Sequence, residues 1–454
     1  MRLSLTPNAL TGPGPPHVAR ALLPLSTTLL VLGVALGARW VWGMLYGPVI
    51  EGDAFTYLKV AERIATGRLH EDDGGRPPVY PLFLLMLGLR PLLVQAVQGL
   101  LGAATAWLVS VMVWRGTCSV RIATLAGVTQ ALLPDFLAFE AILVTESLAC
   151  FQVTLAALLL CMLRERPTAR RAVALSVVLS TAALNKTFLI FLIPLALIAM
   201  AWTLPAPAGP VRRAGGSLAV AFVVPALLLV GSWCAWQWRA YGEFGPSTMT
   251  GFRLSQHVGG RMELAPDRFA TLRDIYLKHR LAVRAETGSH INTIWAAIPE
   301  MQRATGLSYA RTAQEVQTMS VVVLRADPGY YLRSVAKGWA YSWSRPMYLK
   351  EAYVHSSAAL PLLRAVTRSA RLFELSLNAA FLACSLALLF PGLRRRVDPA
   401  AQLPLLACLV VAGTLVAAIG EISDNGKFAL PFLPIALVVV AVYGGASWNA
   451  RRSR

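Results

Sequence analysis

The sequence predicts an all-α polytopic membrane protein, and three observations support this fold class. The chain of 454 residues is 56% hydrophobic and 14% charged, whereas water-soluble domains are about one quarter charged. Its mean hydropathy is +0.56. Apolar runs long enough to cross a bilayer as helices recur along nearly the whole chain. We therefore expect a helical membrane bundle that carries one large polar domain.

About ten apolar segments are expected to span the membrane. They are residues 21–45, 91–114, 122–139 (with a break at Pro134), 147–163, 172–184, 188–204, 218–238, 372–390, 403–419 and 428–443. Short loops with several arginines alternate with short loops that hold carboxylates, and arginine-rich loops face the cytoplasm. This rule places both chain ends in the cytoplasm and the acidic loops outside.

The order of these segments divides the chain into five regions. They are a disordered inner tail (1–20), an N-terminal transmembrane module (21–238) with an outer loop at 46–80, an outer soluble helical domain (239–368), a C-terminal transmembrane module (369–446) and a basic inner tail (447–454). The outer domain contains no apolar run that could span. Because long loops cross the membrane regardless of their charge, its basic residues do not reverse the orientation.

The positive charge of the chain does not indicate a nucleic-acid partner. The formal net charge is +19, but most of the excess is arginine at helix ends, as is typical of inner-face loops. Membrane lipids are therefore the expected surroundings. The six cysteines show no disulfide or metal pattern, and the six histidines show no HExxH pairing.

The stretch from residue 51 to 81 is the strongest candidate for a functional site. It reads EGDAFTYLKVAERIATGRLHEDDGGRPPVYP and holds six carboxylates directly after the first apolar segment. Acidic groups this close to a membrane are costly unless they face water, a metal or a substrate. Residues 54–66 have the pattern of an amphipathic helix that lies on the membrane surface. We expect Asp53 to be the centre of this loop, although Asp is also a favoured helix N-cap.

Several short motifs in order resemble a known family. They are Glu51-x-Asp53 after the first span, RPPVYPLF, Leu143-Val144-Thr145-Glu146 before the fourth span, the large outer domain, and a late Asp-Asn-Gly-Lys turn before LPFLPIAL. This arrangement resembles the GT-C membrane glycosyltransferases, in particular the dolichyl-phosphate-mannose protein mannosyltransferase and lipid A aminoarabinose transferase-like group. The resemblance covers nearly the whole chain. It implies a sugar donor on a polyprenyl phosphate and an acceptor lipid, glycan or protein that approaches from the outer side.

The resemblance also implies roles for three acidic residues. Asp53 would be the general base that takes the proton of the acceptor hydroxyl, because a sugar on a phosphate already has a good leaving group. Attack on the far side of C1 would invert the anomeric configuration. Glu51 would orient Asp53 or help to place a divalent cation, for which Glu51 and Asp53 are the possible ligands. Glu146 would orient the acceptor, or it would simply cap the fourth span.

Three basic residues match positions where the family binds the lipid phosphate. They are Arg76, Lys186 and Lys427. The alternative for Arg76 is a surface arginine that extends to lipid headgroups. Lys186 follows Asn185 where an Arg-Pro pair is more usual, and Lys427 precedes Phe428 where an Arg-Tyr pair is more usual. A lysine can still serve a phosphate as a point charge.

Two other function classes fit the composition. A transporter or flippase would carry charged residues or broken helices near the middle of the bilayer, often in inverted repeats. A non-catalytic assembly factor would need only the scaffold. An enzyme should instead bring Asp53, Arg76 and Glu146 to one outward cavity with a lipid-side opening. The alanine- and arginine-rich, lysine-poor composition suggests a GC-rich bacterium, hence undecaprenyl phosphate as the carrier, an inner-membrane location and a periplasmic site.

Overall fold

The computed structural model describes residues 22–203, 211–344, 349–398, 402–423 and 425–452, and these form helices joined by short connections. The expected inner tail at 1–20 lies outside the described residues, and so does the end of the tail expected at 447–454. Asp424 of the late turn is also outside them.

The helices are numbered here in chain order. They are α1 (Leu25–Leu45), α2 (Asp53–Ala65), α3 (Val79–Met86), α4 (Pro91–Thr117), α5 (Val120–Leu132), α6 (Pro134–Ala141), α7 (Glu146–Glu165), α8 (Ala169–Asn185), α9 (Leu192–Thr203), α10 (Val211–Ala226), α11 (Ser232–Tyr241), α12 (Thr250–Val258), α13 (Ala270–Thr287), α14 (Thr293–Thr305), α15 (Tyr309–Ala326), α16 (Pro328–Ser344), α17 (Leu360–Ala387), α18 (Pro391–Val397), α19 (Gln402–Gly420), α20 (Asn425–Ala429) and α21 (Leu433–Arg452).

The length and apolar character of these helices confirm an all-α polytopic membrane protein. Within the described residues, seven helices are long and apolar enough to cross a membrane, or eight if α5 and α6 form one bent span. These two helices meet at 45°, at the break expected at Pro134, because proline cannot continue the hydrogen bonding of the preceding helix. The spans expected at 172–184 and 188–204 are not among these seven or eight helices, because α8 has only 17 residues and a turn of 3-10 helix at Thr187–Phe191 precedes the short α9.

The polar region between α11 and α17 has its own hydrophobic core, and we call residues 242–359 the loop domain. Its core is formed by α12 to α15 with the segments between them, and includes Phe252, Tyr276, Ile294, Met301 and Val316. Helix α16 then packs against α19 and α20 of the bundle. Helix α17 runs without interruption across residue 368, the boundary that we expected from the sequence.

The loop that precedes α2 is fixed to the bundle by backbone contacts of Val49 beside a buried polar network. The side-chain amide of Gln98 donates to the backbone oxygens of Glu140 (2.8 Å) and Ile142 (2.9 Å), and accepts a hydrogen bond from the Tyr80 hydroxyl (2.8 Å). Val49 forms an isolated parallel bridge with Ile142. These contacts bring the start of α2 close to the start of α7.

The segment from Asp72 to Arg76 is fixed by residues that lie far away in the chain. Gly74 has a φ of 70°, and its backbone oxygen accepts hydrogen bonds from the Gln237 side chain (2.9 Å) and the Thr248 amide (3.2 Å). Asp72 is buried and forms an ion pair with Arg63. This segment is therefore a built part of the fold rather than a solvated turn, and it holds Arg76 in place.

Candidate active site

Among the described residues, five charged side chains form a row in which positive and negative groups alternate. Arg76 Nη2 lies 2.5 Å from Asp53 Oδ1, and Lys427 Nζ lies 2.9 Å from Asp53 Oδ2. The same Lys427 Nζ is 3.7 Å from Glu146 Oε1, which in turn is 2.6 Å from Lys186 Nζ. The row thus joins α2, the segment before α3, α20, α7 and the end of α8.

Asp53 is the first residue of α2, and its side chain points to the row of charges rather than capping the helix. Gly52, with a φ of 52°, is the residue that precedes the helix. Burial would raise the pKa of the Asp53 carboxyl, but the nearby Arg76 and Lys427 outweigh it and hold this pKa well below its usual range. Asp53 is therefore ionised at all physiological pH values. Its side chain remains 39% exposed, so a substrate can reach it.

Arg76 is held on one side of Asp53 by an aromatic contact. Its guanidinium carbon lies 4.7 Å from the centre of the Tyr57 ring, and Nη1 donates to the Tyr57 hydroxyl (3.3 Å). Tyr57 is one helical turn after Asp53 and faces the same way. The Nε of Arg76 is buried and has no hydrogen-bond partner among the described residues. This N–H is a donor that a bound anion could use.

Glu146 and Lys186 form the buried end of the row. Glu146 is completely buried and Lys186 is 8% exposed. Asn185 positions this pair, because its side-chain amide donates to the Thr145 backbone oxygen (3.2 Å) and to Gln152 Oε1 (3.1 Å). Lys186 Nζ also lies 4.7 Å from the centre of the Phe428 ring. A buried charge of either sign is costly when it is alone, so these two groups stabilise each other.

A cavity of about 680 Å³ opens beside this row. Asp53, Arg76, Lys186 and Lys427 line its charged wall. A second wall is apolar and is formed mainly by Phe188, Ile190, Phe191, Val416 and Ile419. Ile419 is 44% exposed, so this apolar wall is accessible to a ligand. The arrangement suits a ligand with an anionic head and an apolar tail.

The loop domain supplies a cavity residue that sequence reasoning missed. Arg253 of α12 lines the cavity and donates to Thr187 Oγ1 (2.9 Å), and its Nε is 3.5 Å from Glu421 Oε2. These contacts join the loop domain to the bundle. An arginine on an amphipathic helix of a polar domain carries no local signal, so only the tertiary structure identifies it.

The structure brings five of the six predicted site residues together and separates Glu51 from them. Asp53, Arg76, Lys186 and Lys427 line the cavity, and Glu146 lies directly behind two of them. The Glu51 carboxylate instead forms an ion pair with Lys350 of the loop domain at 3.0 Å. The role of each of these six residues in the reaction stays a prediction.

The carboxylates at this site are not arranged to hold a divalent cation, for which Glu51 and Asp53 were possible ligands. Within the described residues, no group of three or more His, Cys, Asp or Glu side chains is placed to hold a metal ion. Glu51 is engaged by Lys350 and both Asp53 oxygens are engaged by cations. Because those cations repel a divalent ion, the site favours an anionic ligand.

Two solved structures are similar to this chain over 94% of its length. One is the oligosaccharyltransferase of Archaeoglobus fulgidus tethered to an acceptor peptide with the NVT sequon, at 12% identity, a TM-score of 0.49 and 50% coverage of that chain. The other is ArnT from Cupriavidus metallidurans bound to undecaprenyl phosphate, at 15% identity, a TM-score of 0.39 and 78% coverage of that chain.

This chain spans about half the length of the oligosaccharyltransferase. No protein-family model and no curated protein sequence matches it. At these identities and TM-scores, neither similarity assigns a residue or a substrate to this chain.

Proposed function

We propose that this protein is an integral-membrane glycosyltransferase. It moves a sugar from a polyprenyl-phosphate donor to an acceptor hydroxyl at the outer face of the cytoplasmic membrane. The observation that carries the proposal is the position of Asp53, an ionised carboxylate between two cations at the edge of a cavity with one charged and one apolar wall. The charged wall suits the phosphate and the apolar wall suits the polyprenyl chain.

The charge balance of the site fits a donor with a single phosphate. Among the described residues, four cations line the cavity: Arg76, Lys186, Arg253 and Lys427. The carboxylates of Asp53 and Glu421 also line it, and the Glu146 carboxylate lies behind this wall. Four cations and three carboxylates leave a net charge of one positive. A polyprenyl-phosphate sugar is a phosphodiester with one negative charge, so its head would neutralise the site. The departing polyprenyl phosphate would bind more strongly because it gains charge.

The low pKa of Asp53 makes it a weak base while it is paired, and donor binding removes this obstacle. A phosphate that binds Arg76 and Lys427 would compete with the Asp53 carboxylate for the same N–H donors. Asp53 then loses two stabilising partners, and its pKa rises towards the ordinary value of about 3.9. The donor thereby prepares the base that its own reaction needs.

The reaction then follows from these positions. Asp53 takes the proton of the acceptor hydroxyl while that oxygen forms a bond to C1 of the sugar. The bond between C1 and the phosphate oxygen breaks, and both of its electrons leave with the polyprenyl phosphate. Arg76 and Lys427 stabilise the added charge on the phosphate. Because the acceptor attacks opposite the leaving group, the anomeric configuration inverts.

A transporter or flippase for lipid-linked or envelope substrates is the second candidate. Such a protein needs a site near the middle of the bilayer that opens alternately to the two sides. Against this, the cavity is lined by loop-domain residues such as Arg253 as well as by the ends of helices. That position favours a reaction at one membrane surface.

The test is a transfer assay on the purified full-length protein. Radiolabelled undecaprenyl-phosphate sugars are offered with cell-envelope extracts as the acceptor, and the label in lipid, glycan and protein fractions is measured. Transfer that needs Asp53, with inversion at C1, would support the proposal. Movement of the intact lipid-linked sugar across vesicles without cleavage of its C1–O bond would contradict it and support the transporter.

A further inference from the structure

The cavity has a third wall that differs in chemistry from the other two. The loop between α13 and α14, together with the first turn of α14, contributes Ser289, Asn292 and Trp295. Residues 287–295 read TGSHINTIW and contain no Asp, Glu, Lys or Arg. This wall therefore offers uncharged polar groups and one indole ring, which suit neither a phosphate nor a polyprenyl chain.

Two side chains of this wall are free to contact a ligand. Within the described residues, no side-chain hydrogen bond engages the Asn292 amide, and Trp295 has a ring contact only with Phe252. The Phe252 and Trp295 rings lie edge to face, with their centres 6.1 Å apart. Phe252 is completely buried, so it fixes the orientation of the partly exposed indole. Trp295 itself is 36% exposed.

The position of this wall relative to Asp53 is set by Arg253. Because Arg253 follows Phe252 and binds Thr187 and Glu421 of the bundle, the helix that supports Trp295 is tied to the charged wall. The third wall therefore faces the same space in which C1 of the donor and the acceptor hydroxyl would meet.

We infer that Ser289, Asn292 and Trp295 form a saccharide-binding subsite. This inference rests on the proposed glycosyltransferase function and names the chemistry that the loop domain recognises. An indole face packs against the C–H face of a sugar ring, and an amide both donates to and accepts from sugar hydroxyls. A neutral wall also avoids the cost of removing water from a charge. The ring is either the sugar that is transferred or a sugar of a glycan acceptor.

The experiment measures saturation-transfer-difference NMR signals on the full-length protein in lipid nanodiscs. The probes are the methyl glycosides of glucose, galactose, mannose and arabinose, and the corresponding sugar 1-phosphates. At least one probe should show signals on its ring protons. Trp295→Ala and Asn292→Ala should each reduce these signals about five-fold, which corresponds to the loss of one ordinary contact. Leu281→Ala, at a 72% exposed position on α13, is the matched control.

The same measurement with saturating undecaprenyl phosphate distinguishes the two possible sources of the sugar ring. A methyl-glycoside signal that persists when the phosphate site is filled identifies an acceptor sugar. A sugar 1-phosphate signal that undecaprenyl phosphate abolishes, with no methyl-glycoside signal, identifies the transferred sugar. Either result supports the subsite if the signal depends on Trp295 and Asn292.

The inference is overturned if no probe gives a signal, or if the signal is the same in both variants as in the wild type. Undecaprenyl-phosphate affinity in each variant shows that the fold is intact. The Asp53→Asn variant should keep the saccharide signal. Absence of a saccharide signal from a protein with normal transfer activity would count against this inference alone. A saccharide signal from a protein without any transfer activity would count against the proposed function alone.

Discussion

The contacts of Arg76 predict that its substitution has the clearest effect on binding of the lipid phosphate. Its guanidinium binds Asp53 and Tyr57, and its Nε is a buried donor without a partner among the described residues. We expect Arg76→Ala to weaken binding of undecaprenyl phosphate about 10- to 100-fold, because a hydrogen bond to a charged group contributes about 1.5–3 kcal/mol. Titration of the nanodisc-embedded protein measures this change.

The matched control for this prediction is Arg68→Ala. Arg68 is an exposed arginine of the same loop, and its Nε donates to Thr66 Oγ1. Its removal should leave the affinity for undecaprenyl phosphate within about two-fold, since it takes away only a screened surface charge. Equal losses in the two variants would mean that net charge, and not the position of Arg76, attracts the lipid.

We predict that the charge of Glu146 stabilises the fold, separately from any effect on catalysis. Glu146→Gln leaves Lys186 buried with a neutral partner in place of its ion pair. Breaking a buried pair from one side costs about 3–5 kcal/mol, so the thermal unfolding midpoint should fall clearly. The exposed Glu62→Gln is the control, and its unfolding midpoint should match that of the wild type.

A double variant tests whether the uncompensated charge is the cause. Glu146→Leu with Lys186→Met removes both charges, and we expect it to recover most of the lost stability while transfer activity stays low. Unfolding is followed by intrinsic fluorescence in one detergent for all variants. A Glu146→Gln protein as stable as the wild type would show that this ion pair contributes little to the fold.

At the scale of elements, the segment before α3 positions Arg76, and Gly74 is its most constrained residue. Gly74 has a φ of 70°, and a Cβ there would lie 2.6 Å from the Tyr241 ring. We expect Gly74→Ala to shift this segment and raise the KM for the donor several-fold, because displacement of a positioning group by 1 Å is enough to impair a site. A transfer assay at varied donor concentration measures it.

Gly67 provides a close control for Gly74. It also has a positive φ, 69°, but a Cβ would meet no atom within 4 Å. Gly67→Ala should therefore cost only the backbone strain of about 1 kcal/mol and leave the KM unchanged. If the two variants behave alike, the crowding at Gly74 has no part in placing Arg76.

The elements that the sequence predicted well are those set by burial in lipid. A helix in a bilayer needs about 20 apolar residues in one run, so α1, α4, α7 and α19 can be found by composition alone. The break between α5 and α6 follows from one proline. Helix α17 begins at Leu360, 12 residues before the apolar span expected at 372–390, since residues 360–371 mix apolar residues with arginines.

The contacts between distant elements could not be predicted in the same way. Lys427 and Asp53 are 374 positions apart, and the family resemblance suggested only that both belong to one site. The partner of Glu51, Lys350, and the cavity residue Arg253 had no signal in the sequence. A cation that reaches a site from another domain obeys no local pattern, since its position depends on how the helices pack.

At the scale of the whole molecule, the distribution of arginine predicts which side of the membrane each surface faces. Cys118 is exposed at the turn between α4 and α5, which should lie in the cytoplasm. A cysteine introduced at the exposed Glu286 of the loop domain should lie outside. A membrane-impermeant maleimide should label Glu286→Cys in intact spheroplasts, in a Cys118→Ser background.

Native Cys118 of the wild-type protein serves as the reference in a parallel experiment. It should react with the same reagent only after the membrane is permeabilised. Labelling of Cys118, but not of Glu286→Cys, in intact spheroplasts would reverse the orientation. The cavity and the row of charges would then face the cytoplasm, and the proposed outer-face reaction would be wrong.

The most direct test of the proposed chemistry measures binding and turnover on the same preparation of Asp53→Asn. The variant keeps the shape of the side chain and removes both the base and the charge that competes for Arg76 and Lys427. We predict that undecaprenyl phosphate binds at least as tightly as in the wild type, while transfer falls about 10²- to 10⁴-fold. Full transfer activity in Asp53→Asn, or a loss of lipid binding that accounts for the loss of transfer, would contradict the role of Asp53 as the base.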